Sequence, residues 1–130
     1  MRLYSESEKS TFSYWFAHWY AYQKTAIKLN SWKFKYLFHD IEKPWLMLLW
    51  NDYPRVRNWH RTHNRHHLTY SGSSPHDWEA MVIDWECSRL SKKDAQMNAR
   101  ETMEYECKKY PNMSSEIRRN ILPILHRLGL

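Results

Sequence analysis

Glycine, proline and cysteine are scarce in this chain of 130 residues, which holds 2 glycines, 5 prolines and 2 cysteines. So few glycines and prolines argue against a fold built on many tight hairpin turns, because those turns depend on such residues. Cys87 and Cys107 lie far apart and form neither a disulfide framework nor a CxxC metal site. We therefore expect two reduced thiols.

Long apolar runs are also missing. Runs such as residues 44–50 are far too short to span a bilayer, and the opening MRLYSESEKS is too polar for a secretory signal. We therefore expect a cytoplasmic protein with no membrane partner. Hydrophobic residues make up 42% of the chain, which excludes collagen-like and disordered classes, and the length predicts a single domain over residues 1–130.

Basic and aromatic residues are abundant instead. The chain has 20 Lys and Arg against 14 Asp and Glu, a net charge of +6, which favours anionic partners such as nucleic acid, nucleotides or other phosphate-bearing molecules. Eight tryptophans predict a heavily packed interior or aromatic rings that line a site. They also allow a hydrophobic face for a homodimer.

Apolar residues recur every three or four positions and strand patterns are absent, so we predict an all-α bundle of about six to seven helices. Ser10 or Thr11 would cap the first helix, and Pro44 and Pro54 suit the first turns of two others. A loop is predicted over residues 68–74. The predicted helices cover about 12–29, 31–40, 44–50, 54–64, 76–90, 92–110 and 114–128.

Histidines are concentrated in two places that suit a metal ion. The adjacent His39 and Asp40 offer an imidazole and a carboxylate to one small volume. Such mixed ligands suit Mn, Fe, Co, Ni, Zn or Mg rather than thiolate-selected metals. Farther along, His60, His63 and His67 fall at i, i+3 and i+7, so on a helix they would share one face. A solvated surface cluster is the alternative interpretation.

Arginines and a further carboxylate accompany these histidines. Arg57, Arg61 and Arg65 lie between or beside them, which makes sense where imidazoles hold a cation and guanidinium groups bind phosphate oxygens. Asp84 has apolar neighbours on a helix that we expect to be largely buried. A buried carboxylate needs either a cation or an arginine partner, and both remain open.

The order of these residues resembles the H…HD…D pattern of the HD-domain superfamily of metal-dependent phosphohydrolases. The match is sharpest at LFHDIEKP, which is similar to the family's common LLHDIGKP stretch. The resemblance implies an HD-like helical bundle. It also implies that His18, His39, Asp40 and Asp84 bind a metal ion and that Lys43 faces substrate phosphate.

Family members with further histidines before the last aspartate can hold a second ion. The resemblance thus implies one or two divalent ions per chain, with the second bound from among His60, His63, His66 and His67. Glu42 departs from the family pattern, which usually has a small residue at that position.

The activity implied is hydrolysis of a nucleotide or another small phosphate ester, in which metal-activated water attacks phosphorus. Arg57 would help to bind the substrate. Lys43, Arg61 and Arg65 would neutralise charge on the phosphoryl oxygens, and a histidine outside the metal shell, such as His63, would protonate the leaving group.

Two other functions fit the same residues. A non-catalytic basic helical protein could bind nucleic acid or a protein partner and keep a structural or vestigial metal site. A metal-dependent nuclease that uses the HNRHH segment has less support, because no ββα metal-finger pattern surrounds it.

Overall fold

The computed structural model describes residues 12–91 and 97–130, and these ranges contain helices and connecting segments but no strand. This confirms the all-α prediction. The six α-helices are α1 Phe12–Lys28, α2 Glu42–Trp50, α3 Tyr53–His63, α4 Trp78–Ser91, α5 Ala99–Lys109 and α6 Ser114–Leu128. Short 3₁₀ helices cover Phe34–Phe38 and Pro111–Met113. None of the helices described is both long and apolar enough to cross a membrane.

Side-chain caps set the starts of α3 and α5. Asp52 accepts a hydrogen bond from the backbone N–H of Arg55 at the start of α3, where Pro54 lies in the first turn as predicted. Asn98 and Glu101 form a capping box at α5. Residues 97 and 98 are not helical, and α5 begins at Ala99. The prediction of one continuous helix over 92–110 is therefore wrong at these two positions. Residues 92–96, like the predicted caps at positions 10 and 11, lie outside the described ranges.

Helix α4 carries the core of the bundle on two faces. One face packs against α5 and α6 through Met81 and Val82, and the other packs against α1 through Ala80, Ile83 and Cys87. Full burial of an aliphatic side chain stabilises a fold by about 1.5–3 kcal/mol. The packing of α1 on α4 fixes the relative position of these two helices, which each contribute to the site described below.

The phenylalanines and tryptophans of α1 do not form its buried face. Phe12 and Phe16 are 66% and 49% exposed, whereas the buried face of this helix includes Tyr14, His18 and Tyr22. All eight tryptophans lie in the described ranges and none of them is buried. The tryptophans therefore do not make up the buried interior, although two of them, both on α4, pack against it.

Two of these tryptophans hold the segment between α1 and α2. The indole N–H of Trp15 donates to the carbonyl of Asp40 at 2.8 Å, and that of Trp19 donates to the carbonyl of Leu37 at 2.9 Å. The first two turns of α1 thus fix the backbone around the predicted His39–Asp40 pair.

Candidate metal centre

Four of the predicted ligands meet where three segments converge. His18 comes from α1, Asp84 from α4, and His39 and Asp40 from the turn before α2. Asp40 adopts a left-handed backbone conformation with φ of 55°, which aspartate tolerates better than most residues. This turn directs the chain from the 3₁₀ helix into α2 and lets two adjacent residues face the same site.

The ligand atoms of this first group are spaced as they would be around one cation. The Nε2 atom of His18 lies 3.2 Å from Nε2 of His39 and 3.0 Å from Oδ1 of Asp84. The Oδ2 atom of Asp40 lies 3.5 Å and 3.4 Å from the same two imidazole nitrogens. Ligands bound at about 2.0–2.2 Å to a single ion stand roughly 3.0–3.5 Å apart. The group therefore fits a divalent cation.

A second group lies on the other side of the Asp40 carboxylate. Its Oδ1 atom is 3.0 Å from Nε2 of His60 and 3.3 Å from Nε2 of His66. His60, His66 and His67 each offer one ring nitrogen, and these three atoms lie within 4.8 Å of one another. Asp40 therefore has one oxygen toward each group, which is the arrangement of a carboxylate that bridges two ions.

Several atoms of the two groups are buried without a hydrogen bond. Oδ1 of Asp40 and Nε2 of His60 are close, but they lack the alignment of a hydrogen bond. Oδ1 of Asp84 and the Nε2 atoms of His66 and His67 are likewise without a hydrogen-bond partner. Each such atom costs about 1–3 kcal/mol when it is left unsatisfied in the interior. Bound cations would relieve this cost, and the donor set suits them.

Glu42 and Asn64 orient the imidazole of His60. The Oε1 atom of Glu42 contacts Nδ1 of His60, and the amide of Asn64 donates to the same oxygen at 2.8 Å. A Nδ1 proton donated to Glu42 leaves Nε2 as the nitrogen that can bind an ion on the side of Asp40. This is how carboxylates orient metal-binding histidines. Glu42 was visible in the sequence only as a departure from the resembled pattern.

His18 has a comparable partner on α4. Its Nδ1 atom lies 3.9 Å from Sγ of the buried Cys87, while its Nε2 atom faces the first group. Cys87 forms no disulfide with Cys107, as predicted. The contact of Nδ1 with α4 fixes the orientation of the His18 imidazole, and so directs Nε2 toward the other ligands.

The pKa values of the site favour metal-binding protonation states in most of the ligands. Burial lowers the pKa of His39 to about 4 and holds the pKa of His67 well below its usual value. For Asp40 and Asp84, burial alone would raise the pKa, but the neighbouring histidines, together with Lys43 at Asp40, outweigh it and hold both pKa values well below the ordinary range. Neutral imidazoles and ionised carboxylates are the forms that coordinate metals.

The pKa values of His18 and His60 are shifted in the opposite direction, upward. Burial opposes protonation of both rings, yet the contacts of His18 with Cys87, Asp40 and Asp84 raise its pKa well above the ordinary value. The charge of Asp40 likewise raises the pKa of His60. A metal ion that binds these nitrogens must therefore displace protons from them, so we expect its affinity to rise with pH.

Three of the predicted phosphate-binding residues line a pocket of about 50 Å³ beside the ligands: Lys43, Arg57 and Arg61. The Nζ atom of Lys43 lies 3.4 Å from Oδ2 of Asp40. Burial would lower the pKa of Lys43, but the charge of Asp40 outweighs it and raises the pKa. A charged ammonium therefore lies at the edge of the metal centre.

His63 and Arg65 do not line the small pocket that Lys43, Arg57 and Arg61 line. His63 is exposed and stacks on Trp59 with 4.2 Å between ring centroids. Arg65 is exposed and donates from Nε to the carbonyl of Pro75 at 2.7 Å. Both line another pocket of about 240 Å³, which also reaches His39, Asp40 and His66.

The helical face predicted for the histidine cluster does not form beyond His63. Helix α3 ends there, and Asn64 has extended backbone angles. The chain then turns back, so that His66 and His67 approach His60 from outside the helix. The helical face that residues 60, 63 and 67 would share therefore does not form, and of the four candidate histidines it is His66 and His67 that lie beside His60.

Comparisons of this chain with protein-family models, with curated proteins and with solved structures find no match. Two adjacent groups of nitrogen and oxygen ligands, with cationic side chains at their edge, can hold divalent ions and an anion together.

Proposed function

We propose that this chain is an HD-like, metal-dependent phosphohydrolase that acts on a nucleotide or another small phosphate ester. The observation that carries the proposal is the position of Asp40, with Oδ2 near His18 and His39 and Oδ1 near His60 and His66. A carboxylate between two ligand groups is suited to hold a pair of cations roughly 3.5–4 Å apart, a separation that serves phosphoryl transfer.

Each group has a defined part in this proposal. His18, His39 and Asp84 would hold the first ion, and the second group, His60, His66 and His67, would hold the second, with Asp40 between them. Divalent ions of the Mn, Fe, Co, Ni, Zn or Mg class would supply an activated water and polarise the phosphoryl group.

The basic side chains would bind and orient the phosphate. Lys43 is partly buried and stays protonated beside Asp40, so it can contact a phosphoryl oxygen as a fixed positive charge. Arg57 and Arg61 line the same pocket and can pair with further oxygens. His63 and Arg65 lie on another side of the ligands, so we assign the phosphate contacts to Lys43, Arg57 and Arg61.

The test combines metal analysis with an activity assay. The purified chain is assayed on p-nitrophenyl phosphate, bis-p-nitrophenyl phosphate and nucleotides with Mn²⁺, Co²⁺, Ni²⁺ or Mg²⁺, before and after chelator treatment. We expect one or two ions per chain, and we expect a chelator to abolish turnover while the helical circular dichroism remains. Unfolding by the chelator would indicate a structural site, and a metal-loaded protein that hydrolyses none of these esters would contradict the proposal.

A further inference from the structure

A large pocket opens from the metal centre along α2. Its volume is about 570 Å³, and it lies between α1, α2 and the start of α3. His18, Asp40 and Lys43 line both this pocket and the small pocket that we assign to phosphate. A ligand whose phosphate lies against Lys43 can therefore extend directly into the larger space.

The walls of this pocket are mainly aliphatic and aromatic. Its apolar lining includes Trp15, Ile41, Trp45, Met47 and Leu48. The indole N–H of Trp15 is already bonded to the carbonyl of Asp40. Away from the phosphate end, a nucleobase would find only Asn51 and the hydroxyls of two tyrosines as partners for its donors and acceptors, whereas an alkyl chain or a plain aromatic ring needs none.

Within residues 12–91 and 97–130, helix α2 has no partner for most of its apolar surface. Its sequence is EKPWLMLLW, and none of its residues is buried. Trp45 is 68% exposed and Leu48 is 80% exposed. Both side chains line the pocket, so an apolar ligand there would cover surface that the described part of the chain leaves in water.

We propose that the phosphate ester hydrolysed at this centre carries an apolar alcohol, alkyl or unsubstituted aryl, which binds in the pocket along α2. This inference rests on the proposed function. In the reaction the oxygen of water bonds to phosphorus, the bond from phosphorus to the ester oxygen breaks, and the apolar alcohol leaves with a proton. The same chemistry describes a soluble ester and a lipid phosphate in a bilayer.

The first test is a chain-length series. Hydrolysis of n-alkyl phosphates from methyl to octyl, below their micelle concentrations, is measured with Mn²⁺ and compared with nucleoside monophosphates. Because each methylene buried contributes to binding, kcat/KM should rise about three- to fourfold per methylene until the pocket is filled. Nucleoside monophosphates should react more slowly than the octyl ester. Vesicles that contain phosphatidic acid distinguish a membrane source from a soluble one, and hydrolysis of either class supports the proposal.

The second test uses a matched pair of variants on α2. The double variant W45A/L48A removes two exposed side chains that line the pocket, and L49A removes one that is 74% exposed on the same helix and does not line it. We expect the double variant to raise KM for octyl phosphate by about tenfold with kcat unchanged, and to leave methyl phosphate unaffected. L49A should behave as the parent chain.

The outcomes separate this inference from the proposed function. A flat chain-length series, or a preference for nucleotides, would overturn the apolar substrate and leave the phosphohydrolase intact. If W45A/L48A leaves KM for octyl phosphate unchanged and sediments more slowly than the parent chain, this face binds a second copy of the chain. That result would overturn the inference. If the metal-loaded chain hydrolyses no ester at all, both proposals are wrong.

Discussion

Asp40 and His60 lie 3.0 Å apart, measured from Oδ1 to Nε2, without the alignment of a hydrogen bond. The other oxygen of Asp40 lies 3.5 Å from Nε2 of His18. The two carboxylate oxygens thus serve two different groups of histidines. If ions occupy both groups, the whole centre depends on this one side chain.

The first prediction concerns Asp40→Asn. An amide has no charge and only one oxygen to share, so we expect the variant to lose both ions where the parent chain binds two. Elemental analysis of protein loaded with Mn²⁺ or Zn²⁺ measures the content directly. Asp52→Asn is the matched control, because Asn caps a helix as well as Asp does and its content should equal that of the parent chain. Two ions retained in Asp40→Asn would contradict a bridging role.

The second prediction separates the two groups of ligands. His66→Ala should lose one ion and keep the other, because His66 contacts only the Oδ1 side of Asp40. His63→Ala should keep both, since that ring is exposed on Trp59. Ion counts per chain from elemental analysis test the two variants side by side. The opposite pattern would restore the helical-face interpretation of the sequence.

The choice between His66 and His63 shows where the sequence stops being informative. The resemblance to the H…HD…D pattern implied that His18, His39, Asp40 and Asp84 act together, and the structure brings these four within ligand distance.

The position at which α3 ends could not be predicted from the sequence. Asn64 leaves the helix and donates to Glu42, a residue that lies 22 positions earlier in the chain. The spacing of apolar and polar residues within 54–67 cannot indicate a contact with a residue so distant in the sequence. The exposed aromatic residues were misread for a related reason, because an amphipathic pattern identifies an apolar face but not what covers it.

The third prediction concerns Glu42, which holds Nδ1 of His60. Glu42→Gln keeps the size of the side chain but removes the charge that orients the imidazole and increases its basicity. We expect the affinity for one of the two ions to fall about 10- to 100-fold, with the other unchanged. Competition between the protein and a chelator for Co²⁺, followed by absorption, measures both affinities. Glu104→Gln, in an exposed ion pair with Arg118, should change neither. Equal weakening of both ions would point to a general loss of structure instead.

The last prediction tests an ion-pair network away from the metal centre. Glu79 accepts hydrogen bonds from the hydroxyl of Tyr36 and from Arg127, and its carboxylate lies 2.9 Å from Nζ of Lys33. Burial would raise its pKa, but these partners outweigh burial and lower the pKa from 4.5 to about 2. The folded state therefore binds this proton less readily than the unfolded state. The stabilisation is complete above pH 4.5 and disappears as the pH falls through about 2.

Glu79→Gln should therefore destabilise the fold near neutral pH and have a much smaller effect near pH 2. Urea unfolding of both chains with chelator present, at several pH values across this window, measures the difference. Tyr36→Phe removes one of the same hydrogen bonds and should show the same trend with a smaller amplitude. A difference in unfolding free energy that stays constant with pH would mean that Glu79 stabilises the fold through packing, because only a shifted pKa makes the contribution depend on proton concentration.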